Sequence, residues 1–116
     1  MALELFLQKL KDCPENIEFN DTMSIIDSLY VFTPTPFNNG DLVNGAGQNS
    51  GSCKLFSFAR LHNLTPEQTL ACFGSYYRDD VLKHPENRDH QNIRNFMKTG
   101  WSGIKFDSEP LKAKTL

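Results

Sequence analysis

The sequence predicts a mainly α or α+β fold of about five helices with at most a small sheet or hairpin. Apolar residues recur at helical spacing in five separate segments, and Pro, Gly and Asn break the β-prone stretches between them into short pieces. The third observation is length: 116 residues are too few for two cores of ordinary size, so residues 1–116 are expected to form a single domain.

The first segment sets Leu3, Phe6, Leu7 and Leu10 at i, i+3, i+4 and i+7, one face of an amphipathic helix that Pro14 stops. A second helix is predicted to begin near Asn20 or Asp21, either of which supplies an N-cap. It carries Met23, Ile26, Leu29 and Tyr30 on one face, with Ile25 beside them. From Tyr30 the residues turn β-branched and aromatic, but Pro34 and Pro36 lack the amide a ladder needs, so this stretch reads as an edge strand at best. Asn39-Gly40 and Asn44-Gly45 flank Asp41-Leu42-Val43 with turn signals and predict a small hairpin. The glycines between Gly40 and Gly51 mark a compact loop.

Ser50 or Ser52 is expected to cap a third helix, in which Leu55, Phe58, Ala59 and His62 share a face and Phe56 lies beside it. Thr65-Pro66-Glu67-Gln68 is the most explicit local signal: Thr at the N-cap, Pro at the first helical position and Gln three residues after the cap. The helix it starts is predicted to run through Leu70, Phe73, Tyr77 and Val81 to about Lys83, across Gly74. A last helix carries Ile93, Phe96 and Met97, with Asp89 at its start and Gly100 as its stop. Trp101 to Phe106 reads as a short strand, followed by a polar tail.

Charge and composition narrow the function. Twelve cations against fourteen carboxylates give a net charge of −2 with no block of one sign, so no specific nucleic-acid partner is expected. No run of eighteen apolar residues predicts a membrane span, and the start lacks the basic region and cleavage site of a secretory signal. Cys13, Cys53 and Cys72 form an odd set without a Cys-x-x-Cys pair, which suits free thiols in a reducing cytoplasm.

Three larger blocks carry a family resemblance. These are Gly51-Ser52-Cys53-Lys54-Leu55-Phe56-Ser57-Phe58, Phe73-Gly74-Ser75-Tyr76-Tyr77-Arg78, and the run from Asp89-His90-Gln91-Asn92-Ile93-Arg94-Asn95-Phe96-Met97 to Gly100-Trp101-Ser102-Gly103-Ile104. Across roughly Leu3 to Phe106 the chain resembles the HopJ type III effector family. The resemblance implies a protein delivered by a Gram-negative bacterium into a host cell through a type III secretion apparatus. It brings no catalytic or binding residues with it.

One constellation in the residues has a reaction in it. Cys53 sits at a predicted helix start, where amides and dipole lower a thiol pKa, and Gln48 lies five residues upstream as an oxyanion donor. His90 would be the general base, with Asp89 or Asn92 as orienter. The Gln spacing is one residue short of the papain pattern. The competing reading makes Cys53 a small buried apolar residue and His90 a structural hydrogen-bonder, and it is favoured because free cysteines are among the most buried residues.

No metal site is expected, because His62, His84, His90, Cys72 and Asp89 lack the close spacing of a ligand set. No cofactor is expected either, since the loop Gly45–Gly51 before Lys54 lacks the Gly-Lys-Ser/Thr order of a phosphate loop. Tyr76, Tyr77, Arg78 and Trp101, with Phe106, are the candidate binding residues, because aromatics and Arg dominate interface hot spots. The leading expectation is a non-enzymatic protein that binds a protein or ligand. The alternative is a cysteine hydrolase or acyltransferase using Cys53 and His90.

Overall fold

A computed structural model of the chain describes residues 2–114. Helix α1 spans Ala2–Asp12 and places Phe6 and Leu10 in the core; a 3-10 turn, Pro14–Asn16, follows it. Helix α2 spans Phe19–Leu29 and runs directly into strand β1, Tyr30–Phe32. Strands β2, Phe37–Asn39, and β3, Leu42–Asn44, form the predicted hairpin, and Gly40 takes the positive φ (+61°) of its turn. Helices α3, Ser50–Leu61, and α4, Pro66–Ala71, are followed by a π-helical turn, Tyr76–Val81. Helix α5, Gln91–Thr99, leads through a 3-10 turn, Gly100–Gly103, to strands β4, Ile104–Phe106, and β5, Leu111–Ala113.

Among the described residues the fold is α+β, with five α-helices packed against two small antiparallel sheets, β1–β5 and β3–β2–β4. Pro34 and Pro36 fall between β1 and β2, outside either ladder, so their missing amides cost no strand hydrogen bond. Among the described residues, no helix is long and apolar enough to cross a membrane.

Helix α3 is the central rod. It buries Cys53, Leu55, Phe56, Ser57, Phe58 and Ala59, so nearly its whole circumference is covered rather than a single stripe. Phe56 contacts the rings of Phe37, Phe73, Phe96 and Trp101, while Phe58 meets Phe6, Tyr30 and His62. These ring pairs, edge-on or tilted, join α1, α5 and both sheets to one core.

Five sequence expectations need correction. Helix α2 begins at Phe19, not at a cap on Asn20 or Asp21; Asp21 instead accepts the Glu18 amide at 2.9 Å. Neither Ser50 nor Ser52 caps α3, whose N-cap is Asn49 in the left-handed region at φ 52°.

The helix from Thr65 starts as predicted: the Gln68 amide donates to Thr65 Oγ1 at 3.1 Å and the Thr65 amide donates to Gln68 Oε1 at 3.0 Å. It does not reach Lys83. Gly74 adopts φ +63° and breaks it, because here the chain presses against the start of α2, and a Cβ at residue 74 would lie 2.7 Å from Glu18 Cα and Phe19 N. Thr22 Oγ1 donates to the Cys72 carbonyl that the break releases, at 2.8 Å.

Trp101 lies in the 3-10 turn rather than in a strand, and its indole N–H donates to the Leu64 carbonyl. The tail expected to be only polar buries Leu111 and supplies β5, because β1 has apolar surface and open backbone groups to cover.

Candidate functional site

A cleft of about 620 Å³ opens between the first turns of α3 and α5. One wall is aromatic. Phe19 stacks on Phe73 at 6.1 Å, Tyr76 meets Phe19 edge-on at 5.3 Å, and the His90 ring lies 5.1 Å from Tyr76. Phe19 also rests directly over Gly51, where a Cβ would come within 2.7 Å of its ring, so glycine at 51 lets this wall meet the start of α3.

The opposite side is polar. Asn49 and Ser52 of the α3 start and Gln91 and Asn92 of the α5 start line the cleft. Asn49 and His90, the two N-cap residues, are both left-handed, and neither turns its side chain back to cap its helix. Neither helix start is capped by its N-cap side chain, so both bring backbone amides to the edge of the same cleft.

Beneath the cleft, four asparagines hold this geometry. Asn92 Oδ1 accepts from Asn39 Nδ2 at 3.1 Å and from Asn44 Nδ2 at 3.2 Å, and Asn92 Nδ2 donates to Asn44 Oδ1 at 3.1 Å. Asn49 Nδ2 donates to the same Asn44 oxygen at 2.7 Å. Asn39 Nδ2 also donates to the Asn92 carbonyl at 2.7 Å, tying α5 to the β2–β3 hairpin. Such a buried amide network costs more to disturb than its individual bonds suggest, so the two helix starts are held in fixed register.

His90 Nε2 donates to Asp80 Oδ2 at 3.0 Å, with Asp89 Oδ2 at 3.8 Å. Asp89 itself is held by Arg94, at 2.7 Å, and that hydrogen bond is the main reason its carboxyl titrates below the usual range.

The structure brings only part of the proposed reactive set together. Cys53 lies in the core beneath the α3 start, not on the cleft, and its thiol donates to the Thr35 carbonyl at 3.7 Å. Burial pushes its pKa up to about 11, so the thiolate a nucleophile requires is disfavoured at neutral pH. Gln48 Oε1 accepts the Gly45 amide at 2.8 Å within its own exposed turn. Cys53 and His90 share no hydrogen bond, each being engaged elsewhere.

The expected binding residues are dispersed in the same way. Tyr76 lines the main cleft, whereas Tyr77 lies against Leu70 and Phe96, and Trp101 beside Arg60 and Leu64. Arg78 pins the chain beside the Gly74 break, donating to the Ile17 carbonyl at 2.8 Å and pairing with Glu18 at 3.2 Å. Phe106 packs on Phe37. Among the residues weighed as metal ligands, His62 is hydrogen-bonded to the Tyr30 hydroxyl at 2.8 Å and Cys72 is buried; among the described residues no three metal-capable side chains gather.

Phe19, Phe73, Asn49 and Ser52 went unrecognised as cleft residues. The density of asparagines from Asn38 to Asn49 was the available signal, since asparagine tolerates left-handed backbone and builds amide networks.

No curated protein matches this chain. A crystal structure of VPA0580, a protein of unknown function, superposes with a TM-score of 0.96 at 57% sequence identity, covering 98% of this chain and 95% of that one. The family model for the HopJ type III effector protein matches residues 3–111. With nearly its whole length so matched, the chain belongs to the HopJ type III effector protein family.

Proposed function

We propose that this protein is an effector that works by non-covalent binding in a host cell reached through a type III apparatus, with the cleft between α3 and α5 as its ligand site. The cleft carries the reading: its volume of about 620 Å³ lies in the range of small-ligand sites, and it joins an aromatic wall, of which Tyr76 is exposed and Phe19 half-buried, to a polar edge held by the asparagine network. A planar ring would stack on Tyr76 and Phe19. A carbonyl or carboxylate on that ring would accept from the helix-start amides beside Ser52 and Asn92. In this reading Tyr76 keeps its binding role, His90 lines the site instead of acting as a general base, and Cys53 serves packing.

The reading is tested by amide-resolved NMR titration with benzoate and acetate. Benzoate is expected to shift Gly51, Ser52, Gln91 and Ile93, and Tyr76→Ala to weaken it about tenfold, the loss of one good aromatic contact. Equal effects of acetate and benzoate, or shifts confined to other faces, would refute the assignment of the cleft. Translocation of a reporter fusion into host cells by bacteria with an intact secretion apparatus, lost in an apparatus-deficient strain, checks delivery. Turnover that depends on Cys53 would replace binding with catalysis.

A further inference from the structure

A second concavity, of about 520 Å³, lies on the other side of the α5 start, between the end of the π-helical turn and the exposed face of α5. Its floor is apolar and open: Leu82 is 48% exposed and Met97 45%, and they meet in this groove from two separate elements beside Pro85. Its charged lining is entirely cationic, Arg88, Arg94 and Lys98, on a protein whose net charge is −2.

The three cations have different tasks. Arg94 is a structural clasp: it donates to the Asp89 carbonyl at 2.6 Å and carboxylate at 2.7 Å and to the Pro85 carbonyl at 3.3 Å, holding the 85–89 loop as a wall. Arg88 and Lys98 are exposed and form no ion pair among the described residues. The loop wall is therefore braced before anything enters, so only the exposed side chains of Leu82, Arg88, Met97 and Lys98 remain to be ordered on binding.

We infer that this groove docks an acidic peptide segment of a partner protein, with a bulky apolar side chain over Leu82 and Met97 and flanking carboxylates on Arg88 and Lys98. Charge complementarity selects the occupant, and the unbranched thioether of Met97 adapts to different apolar anchors. An anionic membrane fits less well, because two free cations fall short of the clusters of four to eight that hold a protein on lipid. The groove is independent of the cleft ligand, so either assignment can fail without the other.

The test is fluorescence anisotropy on the intact protein, using a labelled peptide with a Leu-Phe centre flanked by glutamates. Saturable binding that weakens with added salt is expected. Arg88→Glu with Lys98→Glu should weaken it at least about tenfold, and Met97→Asp by a similar factor. These side chains are exposed, and circular dichroism melts will show whether the variants remain folded. The reversed-charge variant should instead bind the same peptide with its glutamates replaced by lysines. No binding at millimolar protein, equal binding by the double variant, or retention only on phosphatidylserine vesicles would overturn the inference. So would concentration-dependent self-association blocked by Met97→Asp, which would assign the groove to a second copy of the chain.

Discussion

Replacing Gly74 with alanine probes the contact that separates α4 from the π-helical turn. The left-handed backbone at φ +63° alone costs a non-glycine residue about 1 to 2 kcal/mol. The added Cβ would also stand 2.7 Å from two backbone atoms of the α2 start, Glu18 Cα and Phe19 N, where ordinary contact begins at 3.4 Å. Backbone cannot swing aside as a side chain does, so the segments must separate by about 0.7 Å. That movement strains the bond from the Ser75 amide to Glu18 Oε1 (3.0 Å) and that from Arg78 to the Ile17 carbonyl (2.8 Å), worth about 1 to 2 kcal/mol each. The expected loss is about 3 to 5 kcal/mol, a large part of the stability of a small protein.

Urea unfolding followed by circular dichroism reads this loss, with two controls. Gly74→Asn eases the left-handed cost but keeps the Cβ, and so remains strongly destabilised. Gly47→Ala, at φ +85° with no atom within 4 Å of the new Cβ, should lose only about 1 kcal/mol. If Gly74→Ala falls within about 1 kcal/mol of Gly47→Ala, the two backbones do not touch and the explanation of the helix break is wrong.

Thr65→Ala removes the hydroxyl that accepts the Gln68 amide and should cost about 1 kcal/mol in the same assay, while Thr65→Ser retains most of the stability. Asn92→Ala strips the shared partner from Asn39 and Asn44 and should cost about 3 kcal/mol, with α5 amides losing hydrogen-exchange protection first. Burial lowers the His62 pKa below the ordinary 6.5. The unfolded chain therefore binds this proton more readily, and stability present above pH 6.5 should drain away as pH falls toward the folded value, by at most about 1.4 kcal/mol per pH unit. His62→Gln should show a flatter stability profile below pH 6.5; an unchanged slope would remove His62 as its source.

Signals contained within a few residues were legible in the sequence. The Thr65 box and the Asn39-Gly40 turn each specify their own backbone, and both occur as read. The α4 break was hidden because Gly74 is tolerable inside an isolated helix; what forbids continuation is Glu18 and Phe19, remote in sequence. Strand β5 was hidden for a similar reason, since Leu111-Lys112-Ala113 becomes a strand only when β1 offers an open edge. Tyr76 and His90 were each noticed, but for different roles; their meeting depends on the π-helical turn and on the left-handed cap of α5, neither of which has a periodicity to read. Cys53 sits at a helix start, as read, and is buried, as the favoured structural reading has it, because a helix covered on nearly all sides gives that thiol no solvent.

Both sheets are completed by strands that follow every helix in the chain: β4 pairs Phe106 with Phe37, and β5 pairs Ala113 with Tyr30. During synthesis the ribosome therefore releases β1, and the edge of β2 that β3 does not take, long before β5 and β4 exist. Until then these edges remain open, and Phe37 lacks the ring of Phe106 that packs on it. Closure of such distant pairings is slow, and the open interval is when a chaperone has most to hold. A nascent chain caught before its final strands emerge would keep its helical segments yet lack the seams that lock them together.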